Sequence, residues 1–185
     1  DEANDYGYTP LHFAAMADQP ALAAALVRHG ANASAQTMFG LTPLHLAVQR
    51  RDDEVALACA AAGGAAAIAA ADRSGKTALH LAARHSTLPV VEACLAAAET
   101  ADAFDFGVLD SKKRGITHYA ARNTDGRVLA AVHSHCQGLL AADCDGQLPI
   151  HQAARFGHSQ NVAECLRLAG PSQQLLASDR FGRLA

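Results

Sequence analysis

A short phrase recurs along this chain of 185 residues, and its recurrence restricts the fold more than any other feature. The phrase leads from a glycine through threonine and leucine to a histidine, and an apolar residue and alanine follow. Three copies begin at Gly7, Gly40 and Gly75, and two weaker copies come after them. A period between about 20 and 50 residues is typical of repeat proteins, whose units bury their apolar faces against one another. The intervals of 33, 35, 38 and 33 residues separate the histidines of the five copies: His12, His45, His80, His118 and His151.

Each copy of the phrase is predicted to begin a helix. The hydroxyls of Thr9 and Thr42 can cap the first turn, and Pro10 and Pro43 stand at the first helical position, where no amide hydrogen is needed. Small residues after the histidine leave room for a neighbouring helix to approach. These are the alanine pairs at 14–15, 82–83, 120–121 and 153–154.

A second helix is predicted after each first one, because apolar residues recur at a spacing that places them on one face, as at Val91, Cys94 and Leu95. Gly30 and Gly170 stand where the end of such a helix requires a left-handed residue. Turn-forming residues come next and predict hairpin tips. They lie at 4–7, 72–75, 143–146 and 179–182.

The phrase resembles the Thr-Pro-Leu-His signature of the ankyrin-repeat family. The resemblance implies an all-α solenoid of helix-turn-helix units with hairpin or turn fingers, and a structural role for the repeated histidine, which links loops. It also implies a single array. We expect repeats at about 4–36, 37–71, 72–110, 111–142 and 143–177, and the beginning of a sixth at 178–185, so that the chain would be a fragment of a longer protein.

Two repeats depart from the pattern. The fourth lacks the Thr-Pro pair and has Gly115, Ile116 and Thr117 before His118, so we expect its first helix to begin irregularly and to be the weak point. The 38-residue interval before it predicts a long finger within residues 98–110. In the fifth repeat Leu148 replaces the capping threonine, which costs about 1 kcal/mol.

Composition and charge exclude several classes of function. The net charge of −3 disfavours nucleic acid as a partner, and the uncharged run 55–71 contains Gly63 and Gly64 and is too weakly apolar to insert into a membrane. Five cysteines without a C-x-x-C pair fit a reducing compartment. We therefore expect an intracellular protein, cytoplasmic with the nucleus left open, and monomeric as this fragment.

Chemistry is not indicated by the remaining motifs. His133, His135, Cys136 and Cys144 form the densest set of metal-ligand residue types, but residues two apart on a helix face different directions, so we favour a helix end over a zinc site. No nucleophile elbow, phosphate-binding loop or H-E-x-x-H motif is present in the sequence. We expect no enzyme activity and no cofactor.

The resemblance implies that a protein partner contacts the hairpin tips and the exposed face of each first helix, which together form a concave groove. Arg84, Arg122 and Arg155 occupy one repeated position of that face, where they would form a ladder suited to an acidic segment. The alternative that arginine is simply a soluble helix former stays open. The next position along contributes Arg50, His85, Asn123 and Phe156.

Apolar residues at the first two tips are the other candidate contacts, since aromatic side chains at exposed tips often anchor partners. They are Tyr8, Met38, Phe39 and Leu41. Tyr8 could equally pack on a further repeat. We expect a non-catalytic interaction module; a regulatory or targeting part of a larger enzyme or channel is the open alternative.

Overall fold

The computed structural model describes residues 2–100, 104–170, 179, 180 and 182, and these residues contain ten α-helices. The chain divides into two units, Asp1–Phe104 and Asp105–Ala185. The first unit contains α1 Pro10–Met16, α2 Pro20–Arg28, α3 Pro43–Arg50, α4 Asp53–Ala69, α5 Ala78–His85 and α6 Leu88–Glu99. The second contains α7 Ile116–Ala120, α8 Gly126–His133, α9 Pro149–Arg155 and α10 Ser159–Ala169.

The helices pack in sequential pairs, which confirms the all-α class. In the first unit α1 packs on α2, α3 on α4 and α5 on α6, while the first helices α1, α3 and α5 also contact one another in order. The second helices α2, α4 and α6 do the same. In the second unit the pairs are α7 with α8 and α9 with α10, and α7 contacts α9 as α8 contacts α10. The division into five repeats and the beginning of a sixth stays a prediction.

Helix starts and ends follow the local chemistry that the sequence indicates. Thr9, Thr42 and Thr77 have extended backbone immediately before α1, α3 and α5, and prolines begin α1 and α3. Gly30 and Gly170 follow α2 and α10 with φ of +85° and +82°, which L side chains rarely adopt. The positions of the threonines, prolines and glycines are confirmed. The Thr42 hydroxyl accepts the His45 N–H at 3.4 Å as expected of a cap, whereas the Thr9 hydroxyl lies 2.9 Å from Nδ1 of His12.

Helix α4 holds the long uncharged run and is kinked within it. Gly64 has φ 52° and ψ −150°, so the backbone departs from helical geometry there. Nothing among the described residues meets the length and hydropathy that a membrane-crossing helix needs.

Tight turns precede the helix pairs and form the predicted fingers. In each, the fourth residue donates its N–H to the carbonyl of the first, as Gly7 does to Asn4 at 2.8 Å and Gly75 to Asp72 at 2.9 Å. Successive turns within a unit are hydrogen-bonded to one another through the backbone. In each case the N–H of the later turn donates to a carbonyl of the earlier one: Met38 to Tyr6 at 2.9 Å, Arg73 to Phe39 at 3.1 Å, Cys144 to Lys112 at 2.9 Å and Arg180 to Asp145 at 3.0 Å.

Among the described residues, the turn at the tip of the expected long finger is not itself lengthened. The turn at Asp110 has the size of the others, because Lys113 N–H bonds to the Asp110 carbonyl at 2.9 Å and Asp110 N–H to the Arg114 carbonyl at 3.0 Å. The extra residues precede this turn, within the range 98–110 where the sequence placed them. Residues 101–103 lie outside the described part of the chain, as does most of the predicted sixth repeat.

The irregularity of the fourth repeat lies at the end of its first helix, so the expected irregular start is wrong. Gly115 adopts the same extended backbone as the capping threonines, and α7 begins in register at Ile116. It ends early, at Ala120. The amide of buried Asn161 explains this ending, because its nitrogen donates to the carbonyls of Ala121 at 3.0 Å and Asn123 at 2.7 Å and so satisfies backbone groups that leave the helix.

Candidate functional site

The repeated histidine links neighbouring turns through both ring nitrogens. Nδ1 of His12 accepts the N–H of Thr9 at 3.1 Å, and Nδ1 of His45 accepts that of Thr42 at 3.2 Å. On the other side of the ring, Nε2 lies 3.0 Å from the Leu41 carbonyl for His12 and 3.2 Å from the Lys76 carbonyl for His45. A backbone N–H can only donate and a carbonyl can only accept, so the ring must be neutral with its proton on Nε2.

The same arrangement recurs in the second unit. His118 accepts the N–H of Gly115 at 3.3 Å and lies 3.0 Å from the Gln147 carbonyl, and His151 accepts the N–H of Leu148 at 3.1 Å. The fifth repeat therefore keeps the histidine contact although it lacks the threonine. Burial lowers the pKa of His12, His45 and His118 below 6.5, and the carbonyl partner offsets only part of this effect. These rings hold turns together.

The cysteines are mostly core residues. Cys59, Cys94, Cys136 and Cys165 are buried free thiols, and burial raises the pKa of each to about 12. A thiol with so high a pKa is a poor nucleophile at neutral pH. Cys144 differs, since it is exposed at the tip of the turn that begins at Asp143.

The residues considered for zinc are placed separately. The Cys136 thiol is buried and donates to the Val132 carbonyl, whereas the His135 ring lies 5.7 Å from that of Phe106. Within the described ranges no group of three or more histidine, cysteine or acidic side chains is arranged to hold a metal ion.

A half-open cavity of about 410 Å³ lies in the second unit, between the loop that precedes the Asp110 turn and the loop that follows α8. Its walls include Phe106, Leu109 and Ile116. The Thr117 hydroxyl at its edge already donates to the Gly138 carbonyl at 3.1 Å. Asp105, His135 and Gln137 also line it, so the cavity wall combines apolar and polar side chains.

The candidate tip residues of the first unit are unequal in exposure. Met38 and Phe39 are exposed, and the guanidinium of Arg73 lies 5.1 Å from the centre of the Phe39 ring. Tyr8 and Leu41 are half-buried. The Tyr8 ring contacts those of His12 and Phe13, each at 5.7 Å between ring centres.

Groove candidates of the first unit lie at the ends of first helices. Arg50 is the last residue of α3 and is exposed, and its Nε donates to the Met16 carbonyl at 2.9 Å. Arg84 and His85 end α5 and are half-buried.

In the second unit the structure brings three candidates together around one ring. The Arg122 guanidinium lies 4.2 Å from the centre of the Phe156 ring, and that of Arg155 lies 6.0 Å from it. Phe156 and Arg155 are exposed, whereas Arg122 is half-buried. Asn123 is buried, and its side chain accepts the N–H of Asp125 at 2.9 Å within the turn that follows α7. Its burial argues against it as a partner contact.

The ladder of Arg84, Arg122 and Arg155 spans both units and stays a prediction. Within the second unit, the guanidinium groups of Arg122 and Arg155 both lie near the ring of Phe156. Arg73 was not among the sequence candidates, although it follows Asp72 in a predicted tip. The available signal was its position two residues before Gly75, because the residue at this position of a turn lies beside the preceding turn.

Comparison with known proteins agrees with the geometry. A family model for ankyrin repeats in three copies matches residues 11–103, about half of the chain. No curated protein matches the chain. Ankyrin repeats are generally protein-interaction modules and are typically non-catalytic. On the matched repeats, the paired helices and the histidine-linked turns, this chain belongs to the ankyrin-repeat family.

Proposed function

We propose that this chain is a non-catalytic interaction module that binds an acidic, partly apolar segment of a partner protein. Two clusters carry the binding. The first cluster consists of Met38, Phe39 and Arg73 at the tips of the first unit, and the second consists of Arg122, Arg155 and Phe156 in the second unit.

The observation that supports this proposal most is the Phe156 ring, which is exposed and lies close to two guanidinium groups. A cation over an aromatic ring is stabilised by about 0.5–2 kcal/mol, depending on desolvation. Such stacking holds the plane of the guanidinium, and an ordered arginine loses less side-chain entropy when it pairs with a carboxylate. Aromatic and arginine side chains are also the commonest hot spots of interfaces.

The Phe39 cluster repeats this chemistry at a different place. Arg73 lies over an exposed ring whose neighbour, Met38, is also exposed. Met and Phe bury apolar area on binding, while the arginine selects carboxylates. We propose Arg50, Arg84 and His85 as flanking contacts. Tyr8 and Leu41 contribute less area because both are half-buried.

The test is a selection of random displayed peptides on the folded chain, followed by affinity measurement with the most enriched synthetic peptide. We expect enrichment of Asp and Glu beside Leu or Phe, and affinity that falls as salt is added. The double variant Arg155→Glu, Phe156→Ser should weaken binding by about tenfold or more, which corresponds to about 1.4 kcal/mol. Arg73→Glu with Phe39→Ser should do the same for peptides that bind the first unit.

The matched control is Arg28→Glu with Leu140→Ser, which reverses one exposed arginine and removes one exposed leucine outside both clusters. It should leave affinity unchanged, and circular dichroism should show that all variants keep their helices. Peptides without acidic enrichment, or equal affinity for the cluster variants and the control, would contradict the proposal.

A further inference from the structure

The first helix pair, α1 with α2, exposes large apolar side chains at positions that the other pairs bury. One residue after the repeated histidine, Phe13 is 50% exposed. The residues at the same position of the later pairs are at most 7% exposed: Leu46, Leu81, Tyr119 and Gln152. Ten residues after the histidine, Leu22 is 46% exposed. Its counterparts are at most 1% exposed: Val55, Val90, Val128 and Asn161.

In the second unit, the position equivalent to Leu22 is covered by the preceding helix pair. Asn161 of α10 stands there, and its amide donates to the carbonyls of Ala121 and Asn123 at the end of the preceding helix α7. This position therefore faces the preceding helix pair. In the first unit α4 contacts both α2 and α6, so the helix pairs stack in chain order there as well.

Two backbone groups of the first pair also match the stacking pattern. In later pairs, the residue four positions before the repeated histidine accepts, through its carbonyl, a hydrogen bond from the histidine of the preceding pair. Leu41 and Lys76 accept such bonds. Tyr8 holds this position, and its carbonyl accepts the N–H of Asn4 just as that of Lys76 accepts the N–H of Asp72. Met38 and Arg73 each stand two residues before a turn glycine, and each donates its N–H to a carbonyl of the preceding turn. Asp5 holds the same position in the exposed first turn.

We propose that the face formed by Phe13, Leu22, the Tyr8 carbonyl and the Asp5 N–H is a docking site for a further ankyrin-type helix pair. The occupant stacks in the register that the pairs inside each unit use. Its histidine donates to the Tyr8 carbonyl, and its turn accepts the Asp5 N–H. Continuity with the existing interfaces identifies this occupant, because apolar residues, donor and acceptor recur together at the same register. A helix without the turn would satisfy only the apolar part.

The test joins a copy of residues 37–70 directly before Ala3, which places the copied helix pair in the stacking register. A lone helix pair cannot bury its apolar face and does not fold by itself. Slow hydrogen exchange in the copied helices therefore reports docking. We expect protection of these amides at least about 100-fold above that of an unfolded chain.

The double variant Phe13→Gln, Leu22→Gln identifies the face. In the extended chain it should reduce protection of the copied helices about tenfold or more, while in the natural chain it should leave the protection of α3 and α4 unchanged. Leu57→Gln in the original α4 is the control, since Leu57 is exposed and its counterparts Glu92 and Ala163 are exposed too. This control should change protection in neither chain.

Unprotected copied helices in the extended chain would overturn the proposal, as would equal effects of the double variant and Leu57→Gln. Self-association of the natural chain that the double variant abolishes, with the copied helices unprotected, would also overturn it and assign the face to a second copy. The inference does not depend on the acidic-segment proposal, which concerns other residues.

Discussion

The Nε2 atom of His12 lies 3.0 Å from the carbonyl oxygen of Leu41, twenty-nine residues later in the chain. His118 and Gln147 stand in the same relationship, also at 3.0 Å and also twenty-nine residues apart. Each bond crosses from the first helix of one pair to the turn of the next. Because Nδ1 of the same ring receives the N–H at the helix start, a single neutral side chain orients its own helix and the following turn.

Replacing His45 with alanine should destabilise the chain by about 2–4 kcal/mol. The substitution leaves the buried N–H of Thr42 without its ring partner, removes a donor to the Lys76 carbonyl and opens a cavity. Urea denaturation followed by circular dichroism measures the loss. His29→Ala is the matched control, because His29 is exposed after α2, and should cost less than about 1 kcal/mol. Similar losses for both variants would contradict the linking role.

Acidification should lower the stability of the folded chain from about pH 6.5 downwards. The pKa of His12, His45 and His118 is lowered by burial in the folded state, so the unfolded chain binds more protons just below pH 6.5. Stability is therefore fully present above pH 6.5 and falls as pH decreases towards the folded-state pKa. Each histidine contributes up to about 1.4 kcal/mol per pH unit in that window.

The measurement is the urea midpoint at about pH 7.5 and about pH 5.5. His45→Gln removes one titrating ring and should make the pH dependence shallower. A midpoint that stays constant or rises on acidification would show that these rings are not held neutral.

Tyr119→Phe should destabilise the second unit by about 1.5–3 kcal/mol, the range for hydrogen bonds to charged groups. The hydroxyl donates to the buried Asp110 carboxylate at 2.6 Å and accepts a hydrogen bond from the Arg114 guanidinium at 3.0 Å. Burial alone would raise the pKa of Asp110, but hydrogen bonds from Arg114 and Tyr119 outweigh it and hold the pKa at about 2. The variant should therefore also raise the pKa of Asp110.

Denaturation and carboxyl NMR titration measure the two effects of this variant. Tyr6→Phe, at an exposed tip, should change neither quantity. If Tyr119→Phe leaves both unchanged, the hydroxyl does not contribute to holding the turn.

Gly40→Ala should cost clearly more stability than Gly30→Ala, although both glycines have positive φ. A Cβ atom on Gly40 would lie 2.6 Å from the Ala71 carbonyl oxygen, whereas one on Gly30 meets nothing within 4 Å. The backbone strain of about 1 kcal/mol is common to both, so the difference isolates the close approach of successive turns. Thermal unfolding compares them. Equal costs would show that the turns can separate without loss.

Sequence reasoning predicted the local features well where each depends on residues close in the chain. Thr42 with Pro43 begins a helix, and Gly30 ends one, because capping and left-handed geometry are decided within a few residues. It failed where distant residues decide. Asn161 ends α7 early from forty residues away.

By itself the sequence determined the family, the helix pairs and the linking role of the repeated histidine, because a repeated local pattern implies a repeated local structure. Only the tertiary structure decided which candidate side chains stay accessible. It buried Asn123 within a turn, placed Arg122 over Phe156 and left Phe13 uncovered while its counterparts are covered. Exposure depends on which surfaces meet, and residues at one repeated position are equivalent in sequence but not in what lies against them.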